Sequence, residues 1–115
     1  KIIEDMVAST AQYFELDYKS DRREIRAATV DKATIIGTVD PSNLIPLGTP
    51  AEVAEKARED IDLMAQQGRF ILGPGCTLPW GTPAENVRAL VNTAREYGRY
   101  GDDGKLLEAA RSKAG

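Results

Sequence analysis

Arg69-Phe-Ile-Leu-Gly-Pro-Gly-Cys-Thr-Leu-Pro-Trp-Gly-Thr-Pro-Ala-Glu-Asn-Val87 decides the fold. Phe70-Ile71-Leu72 is an apolar run of strand length that stops at Gly73 and Gly75, where backbone can approach a ligand closely. Cys76, the only cysteine, then falls just beyond the carboxyl end of that strand. In α/β sheets and barrels this rim is where ligands and metals bind. Thr82 reads as a helix N-cap, Pro83 as the first helical residue and Glu85 as the partner of a capping box. The helix that follows buries Val87, Leu90, Val91 and Ala94 and stops at Gly98.

Moving outward, the same unit occurs once before. Gly-Thr-Pro-Ala-Glu stands at Gly48–Glu52 and again at Gly81–Glu85, and Ile35-Ile36-Gly37 answers Ile71-Leu72-Gly73. Each copy is a strand, a Gly/Pro loop and a capped helix. The earlier copy has a β-branched strand, Thr34–Asp40, a loop holding Asn43, Pro46 and Gly48, and a long helix opening at Thr49. That helix carries Val53, Ala57, Ile61 and Met64 on its inner stripe and closes at Gly68 as a C′ glycine. Ahead of both lie an amphipathic helix from Lys1 to about Thr10, a short strand over Tyr13–Asp17, and a brief helix capped by Asp21 and Glu24. Beyond Gly98, Tyr100–Gly104 reads as a linker and Lys105–Lys113 as one last loosely held helix.

Strands alternating with helices through short loops imply a parallel sheet with right-handed crossovers. The fold class is α/β, with three consecutive parallel βα units behind a leading helix. A closed (β/α)8 TIM barrel needs about 250 residues. A chain of 115 residues cannot close one but fits its last three units. Residues 1–100 are assigned to that C-terminal part of a barrel, and 101–115 to a polar tail.

Composition excludes several classes of function. The net charge is −3, and the Lys and Arg residues are scattered among acids on helix faces, which argues against nucleic acid. No run is apolar and long enough to span a membrane, and one cysteine excludes an internal disulfide, which fits a reducing cytoplasm. There is no histidine, so the usual general base and the commonest metal ligand are both missing. The chain opens at Lys1 inside a helical pattern without an initiator methionine, and is expected to be a piece of something longer.

Gly37-Thr38-Val39-Asp40-Pro41, Gly48–Val53, Phe70–Cys76 and Thr82–Asn86 together resemble the carboxyl-terminal part of the uroporphyrinogen decarboxylase superfamily. Within it they are most similar to the zinc-dependent corrinoid methyltransferase branch. Decarboxylases usually carry a Gly-His-Gly turn at this strand end, and Pro74 stands where that histidine would be. The resemblance implies that Cys76 is a zinc thiolate, and that a His-x-Cys pair supplying further ligands lies upstream of Lys1. It also implies methyl transfer between a corrinoid carried by a partner protein and a small methyl donor or acceptor. The isolated chain would then be inactive, keeping one ligand of at least three. The alternatives are a metal-free uroporphyrinogen decarboxylase of porphyrin biosynthesis and a non-catalytic structural fragment.

Asp17 and Asp40 end two successive strands and would face the same rim, as substrate residues or as loop starters. Gly37, Gly73 and Gly75 are expected to leave room there for substrate. Trp80 lies in a rim loop, as a substrate wall or as packing over the barrel end. An opened barrel has exposed strand edges, so the chain on its own is expected to form a homo-oligomer.

Overall fold

In a computed structural model, which describes residues 2–108, the expected βα alternation is present. The elements are α1 (Ile2–Ala8), β1 (Tyr13–Glu15), α2 (Arg22–Thr29), β2 (Thr34–Val39), α3 (Leu44–Leu47), α4 (Pro50–Met64), β3 (Phe70–Pro74) and α5 (Ala84–Tyr97). The strands lie parallel in the order β1-β2-β3, with Phe14 opposite Ile35 and Ile35 opposite Phe70. Sequence order equals spatial order, as in successive staves of a barrel.

All the packing helices lie on one face of the sheet. α1 packs on α2, α2 on α4 and α4 on α5, and the molecule is only 17 Å thick along its shortest axis. Sheets and helices stack about 10 Å apart, so this thickness accommodates two layers and not three. The row Phe14, Ile35 and Phe70 meets Ile25 and Met64 from the helices, forming one core cluster. A second cluster joins Val39, Ile45, Val53, Ala57 and Leu90 near the strand ends. Strand period 2 sends the next row, Glu15, Ile36 and Ile71, to the opposite face. Tyr13 and Ile71 are exposed on that bare face, which a complete barrel would turn inward.

The long helix begins as expected. Thr49 accepts from the Glu52 N–H (3.3 Å) while the Glu52 carboxylate accepts from the Thr49 N–H (2.7 Å), a complete capping box with Pro50 as its first residue. The second Gly-Thr-Pro-Ala-Glu behaves differently. The Thr82 hydroxyl donates to the Pro79 carbonyl (2.7 Å), Pro83 stays extended as an uncapped N-cap, and α5 starts one residue later at Ala84. The same pentapeptide therefore makes two different helix starts, because the turn before Thr82 takes its hydroxyl.

Several other boundaries differ from expectation. The loop after Asp40 contains α3, since proline costs no hydrogen bond in a first helical turn and Pro46 sits there. α4 ends at Met64 with Ala65 as its C-cap. Gly68 (φ +72°) instead closes the following turn, its N–H donating to the Ala65 carbonyl. β3 runs on through Gly73 to Pro74, paired with Thr38 and Val39. The buried stripe of α5 is Asn86, Leu90, Thr93 and Tyr97, rotated from the one expected, and Val91 is exposed.

Tyr100–Gly104 is not a free linker either. Tyr100 and Leu106 form an antiparallel bridge, and Leu106 is buried with Ile61, Ala65 and Tyr97. Lys105 to Leu107, expected to start a helix, belong to this turn, and residues 109–115 lie outside the described residues.

Candidate functional site at the strand carboxyl ends

Parallel pairing brings the three strand ends to one rim. Asp17 follows β1 by two residues, Asp40 follows β2 directly, and Cys76 follows β3 by two. Gly75 donates its N–H to the Val39 carbonyl (2.8 Å), extending the ladder one step beyond β3.

Two of the three rim glycines are closed by backbone, not open. A methyl group added at Gly75 would lie 2.8 Å from the Tyr18 nitrogen and 3.3 Å from the Asp17 carbonyl carbon. One added at Gly37 (φ +123°) would lie 2.7 Å from the Leu16 carbonyl oxygen and 3.4 Å from the Gly75 Cα. The chain leaving β3 thus crosses the end of β2 at Gly37 and rests on the exit of β1. A side chain at either position would hold these segments apart. Gly73 differs: a methyl group there meets nothing within 4 Å. Of the three, only Gly73 has free space at its Cα.

Both rim aspartates are engaged in their own loops. Asp17 Oδ1 accepts from the Ser20 hydroxyl and the N–H groups of Lys19 and Ser20, each at 3.0 Å. The Ser20 hydroxyl chiefly, with these N–H groups, lowers the carboxyl pKa from its ordinary value. Asp40 Oδ1 accepts from the Ser42 and Asn43 N–H groups, and Oδ2 from the Asn43 side chain. Burial raises the Asp40 pKa, but these hydrogen bonds outweigh it and the net shift is downward. Both side chains are therefore anions at neutral pH and are poor proton donors.

Cys76 is exposed, so its sulfur is available at the rim. As a soft donor it suits zinc in kind. In number the residues do not suffice: among the described residues no three His, Cys, Asp or Glu side chains converge to hold a metal. The described residues by themselves do not build a zinc site.

Two polar features were not read from the sequence. Asn86, buried at the start of α5, donates through its side-chain amide to the carbonyls of Ile45 (2.8 Å) and Gly48 (2.7 Å). It binds the Asp40–Thr49 rim segment to the helix behind the Cys76 loop. A polar residue on the i, i+4, i+7 stripe with Leu90 and Thr93 was the available signal. Behind the sheet, Asp60 on α4 is fully buried, accepts from the Thr38 hydroxyl (2.8 Å) and faces Arg22 Nε (3.2 Å) and Lys56 Nζ (3.8 Å). Burial raises its pKa despite Thr38, Arg22 and Lys56.

Three parallel βα units with glycines, two anionic carboxylates and a thiol at the strand carboxyl ends have the arrangement of a segment of a (β/α)8 barrel, the fold in which that rim carries the reactive groups. The chain belongs to the uroporphyrinogen decarboxylase (URO-D) family, whose model matches residues 1–97. It is 37% identical over 78 residues to the methylcobamide:CoM methyltransferase MtbA of Methanosarcina acetivorans, covering 66% of this chain and 22% of that protein. It is 41% identical over 76 residues to a methylated-thiol–coenzyme M methyltransferase of Methanosarcina mazei, covering 64% and 20%. A uroporphyrinogen decarboxylase of Azoarcus sp. is 29% identical over 97 residues, covering 84% and 26%. In fold, a methyltransferase from Methanosarcina mazei superposes with a TM-score of 0.74 over 85% of this chain and 28% of its own, at 23% identity. The chain thus spans about a fifth to a quarter of the curated relatives. None of its described helices is long and apolar enough to cross a membrane.

Proposed function

We propose that this chain is part of a zinc-dependent methyltransferase that moves a methyl group to or from a corrinoid protein. The observation that carries the reading is the exposed Cys76 thiol just past β3, at the rim where (β/α)8 enzymes hold their reactants. In this reading Cys76 gives one sulfur to a zinc ion whose remaining ligands come from residues outside this chain. Gly37 and Gly75 seat the Cys76 segment against β1, and Gly73 leaves space beneath it. Asp17 and Asp40, held as anions within their loops, set the shape and negative charge of the rim on the substrate side. The chain alone, with one ligand, is inactive in methyl transfer.

The relatives named for methylcobamide and methylated thiols support this assignment. A porphyrinogen decarboxylase is the second reading, favoured by the Azoarcus relative, whose match spans 97 residues. The two separate on zinc content of the intact protein, wild type against Cys76→Ser, measured alongside methyl transfer from methylcobalamin. Loss of both metal and transfer in the variant supports the methyltransferase. Unchanged metal and transfer removes Cys76 from the site, and decarboxylation of a porphyrinogen without methyl transfer selects the second reading.

A further inference from the structure

A carboxylate is a costly way to fill the space between α4 and β2. Asp60 is fully buried there, and so is Thr38, whose hydroxyl it accepts at 2.8 Å. Asp60 Oδ1 lies 3.2 Å from Arg22 Nε and 3.8 Å from Lys56 Nζ, yet no donor among the described residues is aligned to hydrogen-bond it. Replacing a buried ion pair by apolar side chains of similar volume is often neutral or stabilising. Stability alone therefore gives no reason for a charge at this position. The one hydrogen bond it accepts, from Thr38, shows what else it does.

Thr38 is turned against the pattern of its strand. Ile36 lies opposite Ile71 on the bare face, and strand period 2 would send Thr38 to that face as well. Its hydroxyl instead reaches Asp60 on the helix side. Gly37, between the two, has φ +123°, a backbone conformation open to glycine that breaks the alternation. The bond to Asp60 holds the strand in this turned course. Its consequence lies at the rim. Val39, the next residue, accepts the Gly75 N–H at 2.8 Å, and Gly75 immediately precedes Cys76. Two hydrogen bonds thus connect the buried carboxylate to the thiol segment, one from β2 to α4 and one from the exit of β3 to β2. α4 is a firm anchor for the path, since it packs on α2, α5 and the sheet.

We propose that Asp60 is a positioning residue for Cys76, fixing through Thr38 the turned end of β2 on which the Cys76 segment is held. Its effect on methyl transfer rests on the methyltransferase reading, whereas its effect on the segment does not, and the experiment reads the two separately. Amide exchange at Gly75 and methyl transfer from methylcobalamin are measured in the intact protein for wild type, Thr38→Val, Thr38→Ser, Asp60→Leu and Asp60→Asn. Valine and leucine remove the bond at similar volume, while serine keeps the donor and asparagine an acceptor. Gly75 exchange should quicken about tenfold or more in the valine and leucine variants, and stay near wild type in the other two. The amides of Leu90 and Thr93, on the buried stripe of α5, should exchange at the wild-type rate throughout. In the valine and leucine variants kcat should fall about ten- to a hundredfold with KM unchanged, as for a misplaced reacting group. A purely structural role would quicken Gly75, Leu90 and Thr93 alike, and that result overturns the inference. So does an unchanged Gly75 rate or kcat in Thr38→Val of an active protein, or an asparagine variant that behaves as leucine does. If Asp60→Leu does not fold, Thr38→Val decides alone. A wild type that transfers no methyl group, with Gly75 responding as expected, refutes the methyltransferase reading and leaves the placement of the Cys76 segment by Asp60 standing.

Discussion

Asn86→Ala is expected to be among the most damaging single changes away from the apolar core. The side-chain amide bonds to the Ile45 and Gly48 carbonyls at 2.8 and 2.7 Å, across 41 and 38 residues of sequence. Each neutral hydrogen bond contributes about 1 kcal/mol net, and a buried carbonyl left unpaired costs about 1–3 kcal/mol more. Ile45 is wholly buried, so water does not readily replace the lost donor there. Together these give a loss of about 3–5 kcal/mol, a large share of the roughly 6–17 kcal/mol that holds a domain of this length. Asn86→Asp keeps the shape, turns the donor into an acceptor facing two carbonyl oxygens, and should cost more than alanine. Urea unfolding of the chain reads the difference as a lower midpoint at constant slope. Amide exchange should quicken at Leu47 and Gly48, whose N–H groups close α3. If both variants unfold within about 0.5 kcal/mol of wild type, the two carbonyls have other donors and Asn86 is not the clamp.

The repeated pentapeptide supplies an internal control: Thr49→Ala removes a cap and should cost about 1 kcal/mol, while Thr82→Ala, which caps nothing, should cost less than half of that. Denaturant midpoints of the two variants decide it, and equal losses would refute the difference in helix starts. Gly75→Ala and Gly37→Ala force a methyl group against backbone and should destabilise by about 1–3 kcal/mol, whereas Gly73→Ala should unfold like wild type. The carboxylates predict opposite pH responses. Asp40 has a lowered folded pKa, so its stabilisation is present above its ordinary 3.8 and is lost as pH falls through the lower folded value. Asp60 has a raised one, so its contribution is full below 3.8 and is lost as pH rises through the folded value. Stability measured against pH should fall less steeply on the acid side in Asp40→Asn, where Asp17, Asp21 and Glu52 keep their share of that fall, and should lose in Asp60→Asn the decline above pH 3.8. Finally, β1 and β3 are open edges and one sheet face is bare, so the chain alone is proposed to self-associate. Sedimentation should show a weight-average mass rising with concentration, and a monomer at all concentrations would refute this.

Much of this protein could be read without coordinates. Three strand–helix units, their parallel order, the capping box at Thr49 and Glu52, the inner stripe of α4 and the thiol on the rim all follow from local signals. Turn chemistry, apolar period and strand-end position are carried by residues adjacent in sequence, so one chain contains the information. What the sequence could not show depends on partners far along the chain. Thr82 has the same neighbours as Thr49 yet bonds Pro79, because the loop it sits in must return from β3 to α5. Gly37 and Gly75 look like open rim positions until β1 is seen lying against them. Asn86 and Asp60 look like surface residues until Ile45, Gly48, Thr38 and Arg22 arrive from as many as 41 residues away. A buried polar group is stable only when distant donors and acceptors meet it, and such meetings are decided by tertiary structure alone.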